Sequence, residues 1–378
     1  MNNIKISILG DICPTTDNYI FFDNADAQIF MPDVSSILKN SDINICNVEF
    51  SIADKQHSVN KIGPKLNAPV NSIKFLRNAG INIASLANNH IRDFGNVGID
   101  NIISECQNNN IKFLGAGRDL EEAKKPKIIE INSKKIGILS FAEIEFNIAN
   151  SERYGANYLD LYEDFDRIRE LKKNVDFLII LFHGGIEYYQ YPSPELQKKC
   201  RKMAKCGADI ITCQHSHCIG TIEKYEGSTI IYGQGNSIFG YRESNDSWNQ
   251  GLLINIELLE NKKYNIDYKV LVNNLNKLEI ASEKLQAQVM IDVQNRSKNL
   301  NDFSFIEENW IKFCQAQEST YLGYVLGFGK IVHKLNRVLR NLIIRLIMNK
   351  KKYNILLNLI RCESHYEVLN TILKRKEY

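Results

Sequence analysis

The chain has 378 residues, 44% of them hydrophobic and 24% charged, which is enough for a large core and two domains and excludes disorder as the default state. Its net charge of +3 hides an asymmetry: residues 330–378 carry 12 Lys and Arg against 3 Asp and Glu, leaving the remainder at −6. A mildly acidic main domain argues against nucleic-acid binding.

The nine cysteines have no framework spacing, and several lie beside apolar runs (Cys46, Cys106, Cys213), the pattern of reduced thiols. The N-terminus runs straight into a strand without the basic and apolar regions of a signal peptide, and no apolar run reaches the ~18 residues a spanning helix needs. These features predict a cytoplasmic protein, peripheral at most to the inner membrane face.

In chain order, Ile4 to Leu9 alternates as a strand and delivers Asp11 at its end. A short helix is expected at Val34 to Lys39, then a strand at Ile43 to Cys46 that stops on Asn47-Val48-Glu49. Pro64 to Pro69 reads as a loop, and Val70 to Ala79 as a helix closed by Gly80. The run from Ile83 to Ala87 has the character of a buried strand and halts on Asn88, Asn89 and His90 before a helix over Val97 to Gln107. Strands follow at Ile111 to Leu114, Ile128 to Ile131 and Ile136 to Phe141, then a charged helix at Glu163 to Lys173. The most hydrophobic strand, Phe177 to Phe182, ends in His183-Gly184-Gly185. After a helix at Glu195 to Lys205, Ile210 to Cys213 leads into Gln214-His215-Ser216-His217. Thr229 to Tyr232 precedes Gly233-Gln234-Gly235-Asn236, and Leu252 to Leu258 with Tyr264 to Val272 forms an antiparallel pair. Beyond about Leu275 the periodicity turns helical, so domains are expected at 1–274 and 275–378.

Five strands thus end in Asp11, Glu49, Asn89-His90, His183 and His215-x-His217, using four of the seven histidines. With their carboxyl ends on one rim, they would offer two carboxylates, an amide oxygen and three imidazoles as ligands, with His90 left to move a proton. Such a mixed oxygen and nitrogen set suits one or two divalent ions, Mn, Fe or Zn, and a carboxylate shared between two ions is what two-metal hydrolysis uses. Lys65, Glu187, Tyr188, Tyr191 and Asn236 lie in loops beside this rim as candidate substrate contacts. Among them Lys65 is the group to neutralise a phosphate or carboxylate.

The ordered set Gly10-Asp11-Ile12, Asn47-Val48-Glu49, Ala87-Asn88-Asn89-His90-Ile91-Arg92-Asp93-Phe94-Gly95, His183-Gly184-Gly185-Ile186-Glu187-Tyr188, His215-Ser216-His217 and Tyr232 to Phe239 resembles the CapA family, bacterial poly-gamma-glutamate capsule synthesis proteins within the calcineurin-like metallophosphoesterases. The resemblance implies an α/β (α+β) fold, a four-layer α/β/β/α sandwich with metals at the strand ends and a C-terminal helical region. It implies one ion on Asp11, Glu49 and His217 and another on Glu49, Asn89, His183 and His215, with His90 as general acid and Asp93 orienting it. Two residues after Asp11, where the superfamily has a histidine, stands Cys13, which leaves the first site short of a ligand unless Cys13 or water completes it. The implied function is metal-dependent hydrolysis of a phosphoester in a phosphorylated or anionic polymer or saccharide during capsule production. The alternatives are amide-bond chemistry at the same metals and a non-catalytic assembly factor for a membrane-bound synthase.

In the C-terminal region Leu335, Val338, Leu339, Leu342, Leu346 and Ile347 form an apolar stripe among Lys334, Arg337, Arg340 and Arg345. Such a stripe either packs on a neighbouring domain or subunit, the commoner fate, or lies on an anionic membrane surface. Packing is the expected fate, and residues 330–378 are the alternative place for a membrane-surface or capsule-synthase contact.

Overall fold

The computed structural model describes residues 3–260 and 263–375. Its strands run in chain order as β1 (Ile4–Ile12), β2 (Ile43–Val48), β3 (Ile83–Ser85), β4 (Lys112–Leu114), β5 (Ala116–Gly117), β6 (Lys127–Ile131), β7 (Lys134–Ala142) and β8 (Gly155–Ala156). They continue as β9 (Phe177–His183), β10 (Ile210–Gln214), β11 (Ile222–Tyr225), β12 (Ser228–Ile231), β13 (Asn236–Ile238), β14 (Gln250–Leu258), β15 (Tyr264–Asn274) and β16 (Lys277–Ile280). One sheet has the order β16-β15-β14-β1-β2-β3-β4, with β13 joined to β1; the second has the order β11-β12-β10-β9-β7-β6; β5 and β8 form a small ribbon.

Strand alternation explains how the sheets stack. Ile4, Ile6 and Ile8 of β1 and Ile43 and Ile45 of β2 share a cluster with Ile136 and Ile138 of β7, Phe177, Ile179 and Leu181 of β9 and Ile210 of β10, so these faces of the two sheets meet. The opposite faces carry separate clusters. Cys46, Val48 and Ala84 pack with Val34, Leu38, Ile73, Leu76, Ile99 and Ile103 from the helices Pro32–Lys39, Ser72–Ala79 and Gly95–Asn108. Leu178, Ile180, Phe182 and Ile211 pack with Ile168, Leu196, Cys200 and Met203 from the helices Asp164–Lys173 and Pro194–Lys205. Three apolar layers between four layers of structure make the expected α/β/β/α sandwich.

Local chemistry ends the helices where the sequence indicates. Gly80, at φ 108°, closes Ser72–Ala79 in the left-handed conformation, and the Ser193 hydroxyl accepts from Leu196 N–H ahead of Pro194 to open Pro194–Lys205.

The five ligand-bearing segments come from both sheets: Asp11 lies near the end of β1 and Glu49 and Asn89 follow β2 and β3 of one, while His183 ends β9 and His215 and His217 follow β10 of the other. Helical structure begins later than residue 275, because Lys277–Ile280 adds a strand antiparallel to β15, pairing Leu271 with Ile280 and Asn273 with Leu278. The chain divides into two compact units, 1–307 and 308–378. The first therefore extends beyond residue 274 to take in β16 and the helix Glu283–Ser297. Among the described residues no helix is long and apolar enough to cross a membrane.

Candidate metal centre

The alternation that buries isoleucines between the sheets also aims the ligands. In β2, Ile43 and Ile45 face the other sheet, so Asn47 and Glu49, continuing the odd positions, emerge at the end of the same face. In β9 the odd positions Phe177, Ile179 and Leu181 lead likewise to His183. Strand β1 would turn Asp11 the wrong way, but its pairing with β2 slips between Ile8 and Asp11. That irregularity reverses the alternation: Leu9 and Ile12 join the helix-side cluster and Asp11 reaches the cleft between the sheets. His215 and His217 depart from β10 with φ of 86° and 52°, left-handed values uncommon for a side chain this large.

These residues converge. Asn47 Nδ2 donates to Asp11 Oδ1 at 2.8 Å and to His183 Nδ1 at 3.1 Å, and His183 Nε2 donates to Asn89 Oδ1 at 3.0 Å. The His215 backbone N–H donates to Asp11 Oδ2 at 3.0 Å. His217 Nδ1 donates to Asn236 Oδ1 at 2.9 Å, which leaves the Nε2 lone pair 4.0 Å from Glu49 Oε1. His183 Nε2 lies 3.8 Å and His90 Nε2 3.9 Å from that same oxygen.

Glu49 is fully buried, yet neither carboxylate oxygen has a hydrogen-bond partner, and His215 Nδ1 is equally unsatisfied. A buried carboxylate without a donor is costly. Divalent cations would resolve this. The ligand atoms form two groups sharing Glu49, namely Asp11, Glu49 and His183, and Glu49, His215 and His217, each within 4.8 Å. The oxygen and imidazole donors fit such ions. Both flanking histidines also approach Asp11, His217 Nδ1 at 3.6 Å from Oδ2 and His183 Nδ1 at 3.8 Å from Oδ1. Asn89 reaches the cluster through His183.

Electrostatics agree with a site shaped for cations. Burial pushes the Asp11 carboxyl up to about 6 and Glu49, beside Asp11, well above the carboxylate range. Burial, with the neighbouring imidazoles, holds His215 down to about 4, His217 to about 3 and His183 well below its ordinary value, so all three are kept uncharged. Cys13 stays outside. It is buried in the helix-side cluster with its thiol on the Pro14 carbonyl, and it joins neither ligand group.

His90 stands at the edge of the cluster. Its Nδ1 donates to Asp93 Oδ2 at 2.7 Å, and Asp93 also accepts from the Leu66 N–H at 2.7 Å and from Lys61 Nζ at 2.5 Å. Asp93 thus orients the imidazole, and Lys61 is the lysine at the site. Lys65, the lysine expected to meet a phosphate or carboxylate, is exposed and donates to Ser58 Oγ at 3.3 Å. Two lysines four apart in one loop carry no signal of which one turns inward; Lys61 does so by lying over the Phe146 ring.

The remaining candidates divide. Glu187 is near enough to His90 and Arg242 for their charges to oppose the upward push of burial on its carboxyl. Tyr188 is half exposed and accepts at its hydroxyl from Arg242 Nη1 at 3.0 Å. Arg242, missed in the sequence, lies exposed with its guanidinium 3.2 Å above the Trp248 ring, and Trp248 in turn flanks His217 at 4.9 Å. Tyr191 instead packs on Tyr189 and Phe305. Asn236 is fully buried, its amide engaged by His217 and the Trp248 carbonyl.

Facing sheets whose strand ends hold a carboxylate shared between two clusters of donors define a four-layer α/β/β/α protein with a candidate metal centre in the cleft. The chain belongs to the bacterial capsule synthesis protein family PGA_cap, which it matches over residues 5–241. It is 28% identical over 225 residues to the capsule biosynthesis protein CapA of Bacillus anthracis, covering 57% of this chain and 55% of that protein. It is 32% identical over 181 residues to the PGA biosynthesis protein CapA of Bacillus subtilis (strain 168), covering 47% and 48%. The chain therefore spans about half the length of the curated relatives it matches. Among solved structures it is similar to one described as a novel phosphatase of Mycoplasma pneumoniae, at 15% identity and TM-score 0.44, covering 78% of this chain and 99% of that one.

Proposed function

We propose that the chain is a metal-dependent hydrolase, acting on a phosphoester of an anionic polymer or saccharide in capsule production. The observation that carries this reading is Glu49, with two buried oxygens that no protein donor satisfies, at the meeting point of two ligand groups. Asp11, Glu49, Asn89, His183, His215 and His217 would hold one or two divalent ions, Mn, Fe or Zn by donor type. Bound there, such ions supply an activated water and a Lewis acid for a phosphoryl oxygen.

The protein's own groups account for the rest. His90, fixed through Nδ1 by Asp93, presents Nε2 to the cluster and is placed to protonate a leaving oxygen. Lys61 holds Asp93 in position and adds positive charge beside that proton path. Arg242, stacked on Trp248 and tied to Tyr188, offers a planar guanidinium near the His217 side of the cluster for a phosphate or carboxylate of the substrate.

The test is elemental analysis of freshly purified protein with an aryl-phosphate assay in added Mn. His90→Ala is expected to keep its metal and lose at least about a hundredfold in turnover, whereas His183→Ala is expected to lose metal. Unchanged rates in both variants would overturn the proposal. Full capsule production in cells carrying His183→Ala would support the assembly-factor reading instead.

A further inference from the structure

From Lys330 through Arg361 the sequence holds nine Lys and Arg and not one Asp or Glu. The helix Lys330–Val338 sorts these residues by face. At 100° per residue Lys330, Lys334 and Arg337 fall on one side, Ile331, Leu335, Val338 and the following Leu339 on a second, and His333 and Asn336 on a third. The third, polar face is the one turned inward. Asn336 is 2% exposed and its Oδ1 accepts from Ile344 N–H, while His333 packs against Tyr324 and Phe328. The apolar face is left outside, with Ile331 84% and Val338 71% exposed, and Leu346 at 76% extends it into the helix Leu342–Ile347.

This order is the reverse of a helix that packs on its own domain, where the aliphatic stripe goes in and amides go out. Nor does a second copy fit, because two such surfaces would bring together dense positive charge with no acid to offset it. An anionic lipid surface meets both requirements, taking aliphatic side chains into the acyl boundary while lysines and arginines meet headgroups. The helices here are too short to span a bilayer, which leaves binding in its plane. The cleft of about 620 Å³ beside the helices Lys350–Arg361 and Glu363–Lys374 repeats the same chemistry, with Lys350, Lys351 and His365 around Ile355 and Leu359.

We infer that residues 330–361 form an in-plane docking surface for anionic membrane. The inference is independent of the metal centre. Its test is co-sedimentation of the full chain with phosphatidylcholine vesicles, with and without phosphatidylglycerol, at low and high salt. Binding is expected only with the anionic lipid, falling as salt rises. Lys334→Gln and Arg337→Gln should each weaken it about fivefold, and Val338→Asp should weaken it further, all with wild-type circular dichroism. Equal binding to neutral vesicles, or none to anionic ones, overturns the inference. So does a soluble dimer that Val338→Asp dissociates while vesicle binding persists.

Discussion

Replacing Glu49 by Gln should separate metal binding from folding. The variant loses a shared ligand, so it should purify with far less metal. Yet in chelator-treated protein it should unfold at higher urea than the wild type, by on the order of 1 kcal/mol, because an acid group with two unsatisfied buried oxygens is removed. Equal or lower stability would show that the carboxyl finds partners without an ion. Thiols set a second expectation. Burial raises Cys106 to about 12 and, with the Cys106 charge, raises Cys46 further, from an ordinary value of 9.0. Above pH 9 the unfolded chain therefore sheds protons that the folded chain keeps, so these groups' contribution is intact below pH 9 and declines above it. Urea midpoints at about pH 8 and about pH 10 should record a loss on the order of 2 kcal/mol from the pair, and Cys106→Ala should make it shallower. At this scale the sequence was readable where chemistry and strand ends coincide, as at His183 and His215. It was silent where a loop chooses between equals, as between Lys61 and Lys65, and where a buried amide such as Asn236 serves another residue.

The elements that carry the ligands depend on close backbone contacts. A Cβ at Gly10 would stand 2.4 Å from the Gly235 carbonyl oxygen, at the slip in β1 that turns Asp11 into the cleft. Gly10→Ala is therefore expected to push β1 from the Gly235 turn and destabilise the protein by about 3 kcal/mol. It should also reduce metal content, because Asp11 moves with the strand. A variant with wild-type stability and metal would show that the turn yields freely. Strand and helix positions were legible because isoleucine-rich alternation and capping residues such as Gly80 act locally. The slip in β1 was not, since it arises from pairing with β2, and neither was β16, whose four residues gain their place from pairing with β15 and from packing on the helix-side core.

At the scale of the whole molecule, the division of strand ends between two sheets was beyond the sequence, because alternation tells each strand its faces and not its sheet. It matters for more than geometry. Asp11 and Glu49 hang from one half of the sandwich and the three imidazoles from the other, and away from the site the halves also meet through hydrogen bonds such as the Ser85–Ser140 hydroxyl pair at 2.6 Å. An ion held by both would act as a rivet through the two plates. Chelation should then raise hydrogen exchange on both sides of the joint at once, in β2 and β9 together, and lower the melting temperature by an amount that follows free metal concentration. Exchange confined to one plate would show that each holds its ligands alone. With the rivet at work, a cell short of metal would find this protein easier to unfold and clear, so its abundance would track supply before any reaction was run.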